Sequence, residues 1–219
     1  MSHTRESVPP GLKGHLACVS SGGDTLAWLP STESKDYTNA FIIHKNKILL
    51  GYKKRGFGIT DLVGMAYYSC PRVRLMSRTA LGGKVELGET SQQAALRELE
   101  EEAGITAPLQ HAGTLLFTTG AEEAAYHIEV YRADEYTGDV TETDEMRPEW
   151  FSLPLTDSKG SNATEDNLPT IPFEKMWEDD RHWMPLLISR TKFAGRADFK
   201  REGDSYTMHK WWFGTFTDS

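Results

Sequence analysis

Cysteine is scarce in this sequence of 219 residues, which contains only Cys18 and Cys70. Two isolated thiols form neither a disulfide framework nor a multi-cysteine zinc site, which favours a reduced intracellular chain. Long apolar runs are also lacking, since stretches such as 40–43 and 186–188 are far shorter than the roughly 20 residues that cross a bilayer. The first residues show neither a signal-peptide core nor an Arg-rich, acid-free transit pattern. We therefore expect a soluble cytoplasmic protein with no membrane partner, with nuclear or mitochondrial residence as an alternative.

Basic residues are in the minority: 24 Lys and Arg stand against 32 Asp and Glu, which gives a net charge of −8. Proteins that bind nucleic-acid backbones show the opposite balance, so we expect no nucleic-acid polymer as a partner. A phosphate-bearing ligand of such an acidic chain would need a cation as mediator. The mean hydropathy of −0.50 indicates long loops or a solvated tail, while an aromatic content of 11% is enough to build a core.

The chain divides into a polar start and a patterned remainder. Residues 1–36 are rich in Ser, Gly, Pro and charge without a sustained hydrophobic period, so we predict a disordered tail there and a folded domain over 37–219. Apolar and β-branched residues predict strands at 40–43, 48–50, 113–118, 126–131 and within 197–216. Helices are predicted over 90–103 and over 177–191, the second with Pro185 as its kink or its start. This mixture predicts an α/β (α+β) sandwich.

The helix at 90–103 carries an unusual arrangement of charge. Thr90 and Gln93 form a capping box, and Gly104 supplies the C-terminal stop. Its glutamates at 98, 101 and 102 gather on one side, where like charges at helical spacing repel by about 0.2–0.5 kcal/mol per pair. They also crowd the helix C-terminus, where the helix dipole disfavours anions by ~0.3–1 kcal/mol each. A solvated acidic face is the simple alternative, but a divalent cation such as Mg²⁺ would turn this repulsion into binding energy.

The segment around this helix resembles a known family signature. Gly83, Glu89, the Arg-Glu-Leu run at 97–99, the Glu pair at 101–102 and the Gly-Ile pair at 104–105 resemble the Nudix box without departure. The resemblance implies the Nudix fold, a mixed β-sheet sandwiched between helices, and cleavage of a nucleoside diphosphate linked to another group. It implies Mg²⁺ as cofactor, with Mn²⁺ as an alternative, and metal-ligand roles for Glu98, Glu101, Glu102 and the backbone carbonyl of Gly82. Arg97 would orient the glutamates through a bidentate pair.

Three further segments, 49–58, 144–151 and 171–187, resemble the eukaryotic MutT homologues of that family, which hydrolyse oxidised purine nucleoside triphosphates. The resemblance implies attack of a metal-activated water on the triphosphate, which gives a monophosphate and pyrophosphate and sanitises the nucleotide pool against DNA damage. It places an additional carboxylate near the metals at Glu145, and either Glu98 or Glu145 would act as base. Pocket positions of the family fall on Thr38, Lys53, Phe117, Trp177, Asp179, Asp180, Trp183 and Phe199.

Asp179 and Asp180 are adjacent carboxyls between Trp177 and Trp183, which by the resemblance frame the base. Desolvation and mutual repulsion favour keeping one of the two protonated near neutral pH. A neutral carboxyl donates a hydrogen bond while its ionised neighbour only accepts. Such a pair would read an altered purine edge, as in 8-oxo-dGTP or 2-hydroxy-dATP. The simple alternative is a surface Asp-Asp pair stabilised at a helix N-terminus.

The sequence departs from these homologues in two places. Residues 59–81 replace a short turn, so that Thr79 stands where the family has a base-binding Asn and Leu81 where an aromatic residue is usual. Thr offers one hydroxyl where Asn offers an acceptor and two donors. The insertion near 59–81 is either a lid or specificity loop, or a retained intron in the gene model. A second insertion near 156–167 has the composition of an exposed polar loop.

Three functions follow as hypotheses. The first is Mg²⁺-dependent hydrolysis of oxidised purine nucleoside triphosphates by a monomer that binds a small-molecule nucleotide. Thr79 and the insertion keep open a Nudix hydrolase of another substrate, such as a dinucleoside polyphosphate or an undamaged triphosphate. The third is a nucleotide-binding protein without turnover, which the intact set of Glu98, Glu101 and Glu102 disfavours.

Overall fold

A mixed β-sheet forms the centre of the fold, with a helix packed on each of its faces. The computed structural model of the chain describes residues 7–23, 25–31, 33–54, 78–119, 124–153, 168–202 and 205–217. The strands are β1 (Leu16–Gly22), β2 (Ser34–His44), β3 (Lys47–Lys53), β4 (Arg78–Thr79), β5 (Gln110–Thr118), β6 (Ala125–Ala133), β7 (Met146–Ser152), β8 (Phe193–Glu202) and β9 (Ser205–Phe216). The helices are α1 (Ser91–Ala103) and α2 (Asp180–Ile188), and a 3₁₀ turn covers Phe173–Lys175.

The strand order is β1-β9-β8-β5-β6-β2-β3-β4, and β7 pairs with β3 beside this path. Two pairings are parallel, β2 with β6 and β5 with β8, while the others are antiparallel. Alternate residues of a strand point to opposite faces. On β2, Phe41 belongs to the core cluster that contains α2, whereas Ala40 and Ile42 belong to the cluster that contains α1. The expected α+β sandwich is therefore confirmed.

The first hairpin joins β2 to β3 through Lys45 and Asn46. Both residues have positive φ values, 48° and 60°. Two consecutive residues of this kind give a turn whose twist matches that of the flanking strands. The register places Ile42 opposite Leu49 and His44 opposite Lys47. The predicted strands at 40–43 and 48–50 are confirmed, and each extends further than the apolar run that indicated it.

Helix α1 has the ends that its sequence predicts. The hydroxyl of Thr90 accepts from the backbone N–H of Gln93 while the Gln93 side chain accepts from the Thr90 N–H, and Gly104 adopts the left-handed conformation at φ 70°. Ala95 and Leu99 are fully buried against the sheet. Burial of this apolar side fixes which side of the helix carries the glutamates.

Helix α2 is shorter than the predicted 177–191 and begins at Asp180, so Pro185 lies inside it rather than at its start. Its C-terminal end is held from the sheet, because the buried Arg132 of β6 donates from Nη1 to the backbone oxygens of Leu187 and Ile188, the latter at 2.8 Å. A buried cation at a helix C-terminus satisfies carbonyls that the helix itself leaves free. Helix α2 is thereby fixed relative to β6.

The structure of the N-terminal segment contradicts the predicted disordered tail over 1–36. Residues 16–22 form β1, which pairs antiparallel with β9, and β2 already begins at Ser34. The segment also covers a buried ion pair of β8, in which Arg196 Nε donates to Asp198 at 2.8 Å. Arg196 donates in addition to the backbone oxygen of Leu29 at 2.6 Å. The partners lie more than 160 residues away, so local composition does not reveal them.

Two expectations fall on parts of the chain outside the described residues. The insertion near 59–81 overlaps 55–77, and the insertion near 156–167 lies within 154–167. The last residues of the first insertion are described. Strand β4 (Arg78–Thr79) pairs with β3, and a β-bridge joins Leu81 to Ala40. None of the helices described is long and apolar enough to cross a membrane.

Replacement of Asp198 by alanine should lower the free energy of unfolding by about 3–5 kcal/mol, because it leaves the buried guanidinium of Arg196 without its counter-charge. The control Glu149→Ala removes the partner of the more exposed Arg147 and should cost less than about 1 kcal/mol. Urea unfolding of both variants measures the difference. A loss in Asp198→Ala no larger than that in the control would contradict this account of the N-terminal segment.

Candidate active site

Two glycines bring the loop before α1 against the sheet. The N–H of Thr38 donates to the carbonyl of Gly83 at 2.9 Å, and the N–H of Ala40 donates to the carbonyl of Leu81 at 2.7 Å. A Cβ on Gly82 would lie 2.0 Å from the carbonyl oxygen of Thr38, and one on Gly83 would lie 2.3 Å from Oε1 of Glu98. A side chain at position 82 would collide with backbone, and one at position 83 would have to displace the Glu98 carboxylate, so the loop runs directly beneath the glutamates of α1.

Four carboxylates lie together in one cavity of about 640 Å³, which Glu86 and Asp180 also line. Glu98, Glu101 and Glu102 lie on α1, and Glu145 is the residue immediately before β7. Glu102 is the most enclosed, with 3% exposure, and its Oε2 accepts from the N–H of Gly82 at 2.8 Å. Burial raises the pKa of Glu102 to about 7, although the ammonium of Lys53, 3.7 Å from its Oε1, opposes that effect.

Arg97 links these carboxylates. Its Nη1 donates to Glu98 at 2.8 Å and to Glu101 at 3.1 Å. On the other side, Nη2 and Nε donate to the two carboxylate oxygens of Glu89 at 2.8 and 3.2 Å. A bidentate pair of this kind fixes the plane of the guanidinium. Glu89, which sequence reasoning treats only as a position of the motif, therefore holds the arginine that contacts the glutamates.

The opposite end of the same cavity is aromatic. Trp177, Trp183 and Phe117 line it, together with Asp180. The ring of Phe199 packs edge-on against Trp177, with the centroids 5.4 Å apart, and so stands behind the wall rather than in it. This end offers flat apolar surfaces with a carboxyl between them, which suits a planar heterocycle that carries polar edges.

The two aspartates occupy different environments. Asp180 lines the cavity, and its Oδ2 accepts from the backbone N–H of Trp177 at 3.0 Å. Asp179 is fully buried behind it, and its Oδ2 accepts from the indole N–H of Trp183 at 2.9 Å. Its Oδ1 has no hydrogen-bond partner among the described residues. Burial raises the pKa of both carboxyls, and the charge of Asp179 raises that of Asp180 further.

A family model described as the NUDIX domain matches residues 68–187. The chain belongs to the Nudix family. It is 36% identical over 178 residues to the oxidized purine nucleoside triphosphate hydrolase of Danio rerio, an alignment that spans 81% of this chain and 94% of the relative. The Mus musculus protein of the same name is 33% identical over 180 residues, which span 81% and 96% of the two chains. A MutT crystal structure from Bacillus halodurans has a TM-score of 0.49 at 20% identity and covers 80% of this chain and 97% of that one.

The carboxylate end fits the divalent cation that a Nudix protein uses. Its potential ligands are all oxygens, from four carboxylates and the glycine-loop carbonyls, and hard cations such as Mg²⁺ prefer such ligands. Within the described residues, no three acidic, His or Cys side chains converge on a single point. Arg97 and Lys53 act as counter-ions for these carboxylates instead. The donor set thus matches Mg²⁺ by chemical type, and Arg97 and Lys53 compensate only part of its negative charge.

Most residues that the sequence singles out for this Nudix site share the cavity. The cavity is lined by Lys53, Thr79, Gly82, Arg97, Glu98, Glu101, Glu102, Phe117, Glu145, Trp177, Asp180 and Trp183. Thr38, Asp179 and Phe199 lie directly behind it, and the buried hydroxyl of Thr38 has no partner in the described part of the chain. The structure adds lining residues that sequence reasoning missed, among them Lys35, Tyr37, Asn39 and Phe41. Their alternation along β2 is the signal that could have found them.

Substitution of Gly83 by alanine should weaken binding of Mn²⁺, a spectroscopic substitute for Mg²⁺, by about 10-fold or more. The new Cβ needs the space that the Glu98 carboxylate now occupies. Stability should fall little, because the displaced atoms are the far end of a flexible side chain. Electron paramagnetic resonance titration measures the binding.

The control Gly88→Ala places its Cβ in open space at a positive φ. It should therefore cost about 1 kcal/mol of stability while leaving Mn²⁺ binding unchanged. Equal Mn²⁺ affinity in Gly83→Ala and wild type would contradict the placement of Glu98 at the metal.

Substitution of Asp180 by asparagine should stabilise the protein at pH 8 and change it little at pH 4. In wild type the folded-state pKa of Asp180 is raised above its ordinary value of 3.8, so the folded state keeps a proton that the unfolded chain releases. Stability is then lost as the pH rises from about 4 through the raised pKa. The gain in Asp180→Asn should be about 1.4 kcal/mol per unit of raised pKa. Urea unfolding at both pH values measures it, and an equal effect at pH 4 and pH 8 would contradict the burial argument.

Proposed function

We propose that this Nudix protein hydrolyses oxidised purine nucleoside triphosphates, such as 8-oxo-dGTP and 2-hydroxy-dATP, to the monophosphate and pyrophosphate. The observation that carries the proposal is the single cavity, with carboxylates at one end and an Asp180 carboxyl among tryptophans at the other. The two ends of a nucleoside triphosphate match the two ends of this cavity. Its polyphosphate binds cations, and its base stacks on flat rings and forms hydrogen bonds along its edge. The names of the zebrafish and mouse relatives point to the same substrate class.

At the carboxylate end, Glu98, Glu101, Glu102, Glu145 and the carbonyl of Gly82 would hold Mg²⁺. Bound there, Mg²⁺ would neutralise the polyphosphate and lower the pKa of the attacking water. Arg97 orients Glu98 and Glu101 through its hydrogen bonds, and Lys53 places a positive charge beside Glu102 where a phosphate oxygen would lie.

The proton of the attacking water has two acceptors within the chain, Glu98 and Glu145. Burial raises the pKa of Glu98, which favours its use as a base, while Arg97 opposes the shift and fixes the carboxylate's direction. Glu145 lies on the other side of the cavity, before β7, and has the freedom of an exposed side chain. The proposal keeps both residues as candidates for the base.

At the aromatic end, a protonated Asp180 would donate a hydrogen bond to the base edge while Trp177 and Trp183 contact its faces. 8-Oxoguanine differs from guanine at this edge, where a ring N–H replaces an acceptor and a carbonyl is added. Because a carboxyl donates when neutral and accepts when ionised, the aspartate pair suits an edge that mixes donors and acceptors. Transfer of the proton between Asp179 and Asp180 would admit more than one oxidised base.

The proposal includes a small-molecule nucleotide as the partner and Mg²⁺, with Mn²⁺ as substitute, as the cofactor. The net charge of −8 disfavours a nucleic-acid polymer. Action as a monomer in the cytoplasm completes the proposal. One observation favours a different nucleotide: Thr79 lines the cavity with a single hydroxyl, so an undamaged triphosphate or a dinucleoside polyphosphate is the second candidate substrate.

Mg²⁺-dependent release of pyrophosphate from 8-oxo-dGTP and dGTP, measured in parallel, tests the proposal. Wild type should prefer the oxidised substrate, and Glu101→Gln should lose on the order of 10²-fold or more in kcat/KM. Glu100→Gln removes the same charge from an exposed position of α1 outside the cavity and should retain full turnover.

Equal turnover of both nucleotides would contradict the preference for oxidised purines and direct attention to the second candidate. Binding of 8-oxo-dGTP without any turnover would leave a nucleotide-binding protein. Unchanged turnover in Glu101→Gln would remove that glutamate from the metal site.

A further inference from the structure

Asn39 is placed on the cavity wall by the alternation of β2. Lys35, Tyr37, Asn39 and Phe41 line the cavity, while Ala40 and Ile42 belong to the core cluster on the side of α1. Asn39 lies beside the glycine loop, since a Cβ on Gly82 would come within 2.9 Å of its Cα. Further along the strand, Phe41 packs edge-on against Trp183, with centroids 5.7 Å apart. Asn39 therefore lies between the carboxylate end and the aromatic end.

The side chain of Asn39 carries the only carboxamide among the described residues that line this cavity. None of the described residues makes a hydrogen bond with that amide, although it is half-buried next to a largely apolar wall. Two polar contacts are made at the aromatic end: the indole N–H of Trp183 donates to Asp179, and Asp180 accepts from the Trp177 N–H. Because the residue is only half-buried, its amide keeps its donors and its acceptor available to a ligand in the cavity.

The chemistry of an amide differs from that of the other polar groups at this end. An amide offers an acceptor and two donors at once and keeps them at every pH, whereas Thr79 offers one hydroxyl and Asp180 changes role with its proton. Two adjacent atoms of opposite hydrogen-bonding sense are what a purine edge presents, for example the carbonyl and the neighbouring ring N–H of a guanine or an 8-oxoguanine. A paired donor and acceptor match such an edge in one orientation.

We propose that Asn39 is a specificity-determining residue, whose amide binds the base edge of the substrate through one donated and one accepted hydrogen bond. The inference rests on the proposed function, because it takes the cavity as the site of a purine nucleotide. Asn39 and Asp180 contact the base at two separate points, which restricts both its identity and its orientation. Thr79 is left with at most an auxiliary contact.

Binding of a product nucleotide without metal separates base recognition from turnover. Isothermal titration of 8-oxo-dGMP into Asn39→Leu, which keeps the size of the side chain and removes its polarity, should show affinity reduced on the order of 10- to 100-fold. Binding of pyrophosphate with Mg²⁺, which reports on the carboxylate end alone, should stay within threefold of wild type. Asn39→Asp, which keeps an acceptor and loses both donors, should also bind 8-oxo-dGMP more weakly than wild type.

The matched control is Thr118→Val on β5, which removes a buried hydroxyl that has no partner among the described residues and does not line the cavity, and it should bind 8-oxo-dGMP like wild type. Thermal unfolding checks that each variant is folded. If Asn39→Leu does not fold, the inference is judged on Asn39→Asp alone. Wild-type affinity in both Asn39 variants, or an equal loss for 8-oxo-dGMP and pyrophosphate, would overturn the inference.

Failure of the proposed function is distinguishable from failure of this inference. If wild type prefers dGTP to 8-oxo-dGTP, the proposed function fails, and Asn39→Leu is then judged by the same criterion with dGMP as ligand. A selective loss of dGMP affinity would support the role of Asn39 and an unchanged affinity would overturn it. Wild type that binds neither nucleotide contradicts both.

Discussion

The absence of side chains at Gly82 and Gly83 is the constraint on which the arrangement of this site depends. The loop that contains them lies within hydrogen-bonding distance of β2 and directly beneath Glu98, so that a methyl group on Gly82 would collide with backbone and one on Gly83 would displace the Glu98 carboxylate. That approach lets the N–H of Gly82 bind Glu102, and it brings α1 over the end of the cavity. The capping box and the buried apolar side of α1 then decide which residues face inward.

Two clusters of acidic residues at opposite ends of one cavity differ in whether cations lie beside them. At the α1 end, Arg97 and Lys53 compensate the glutamates, so repulsion between them is reduced without burying each carboxylate completely. At the α2 end, no cation pairs with Asp179 or Asp180 among the described residues, and burial raises both pKa values, with the charge of a neighbouring carboxylate adding to each shift. Burial raises the pKa of Glu98 and Glu102 as well, but Arg97 and Lys53 oppose those shifts and favour the charged form. No such cation opposes the shift at the aspartates, so that end favours protonated carboxyls and suits a neutral heterocycle.

The sequence predicts best where interactions are local. Caps and periodicity predict α1, and apolar runs around a polar turn predict the β2–β3 hairpin, because each depends on residues a few positions apart. Local patterns do not predict the ordered N-terminal segment. It is held by distant residues, because β1 pairs with β9 and the segment also contacts the buried Arg196–Asp198 pair of β8. Asn39 escapes for a related reason: only the register of β2 in the folded sheet shows that its side chain enters the cavity.

Family resemblance and structure contribute different things to the site. The Nudix motif identifies the glutamates, but only the folded structure shows that Glu89 holds Arg97. It also shows that Asp180 rather than Asp179 lines the cavity, and that Phe199 lies behind the cavity wall. These distinctions depend on side-chain direction at adjacent positions, which spacing along a chain cannot give.

The central claim is that one cavity holds the two ends of a single nucleotide. A crystal structure with Mg²⁺ and a non-hydrolysable 8-oxo-dGTP analogue tests this most directly. The account predicts the base between Trp177 and Trp183, with its edge on Asp180, and the polyphosphate beside Glu98, Glu101 and Glu102. A base bound outside the tryptophans, or a polyphosphate bound away from the glutamates of α1, would contradict it.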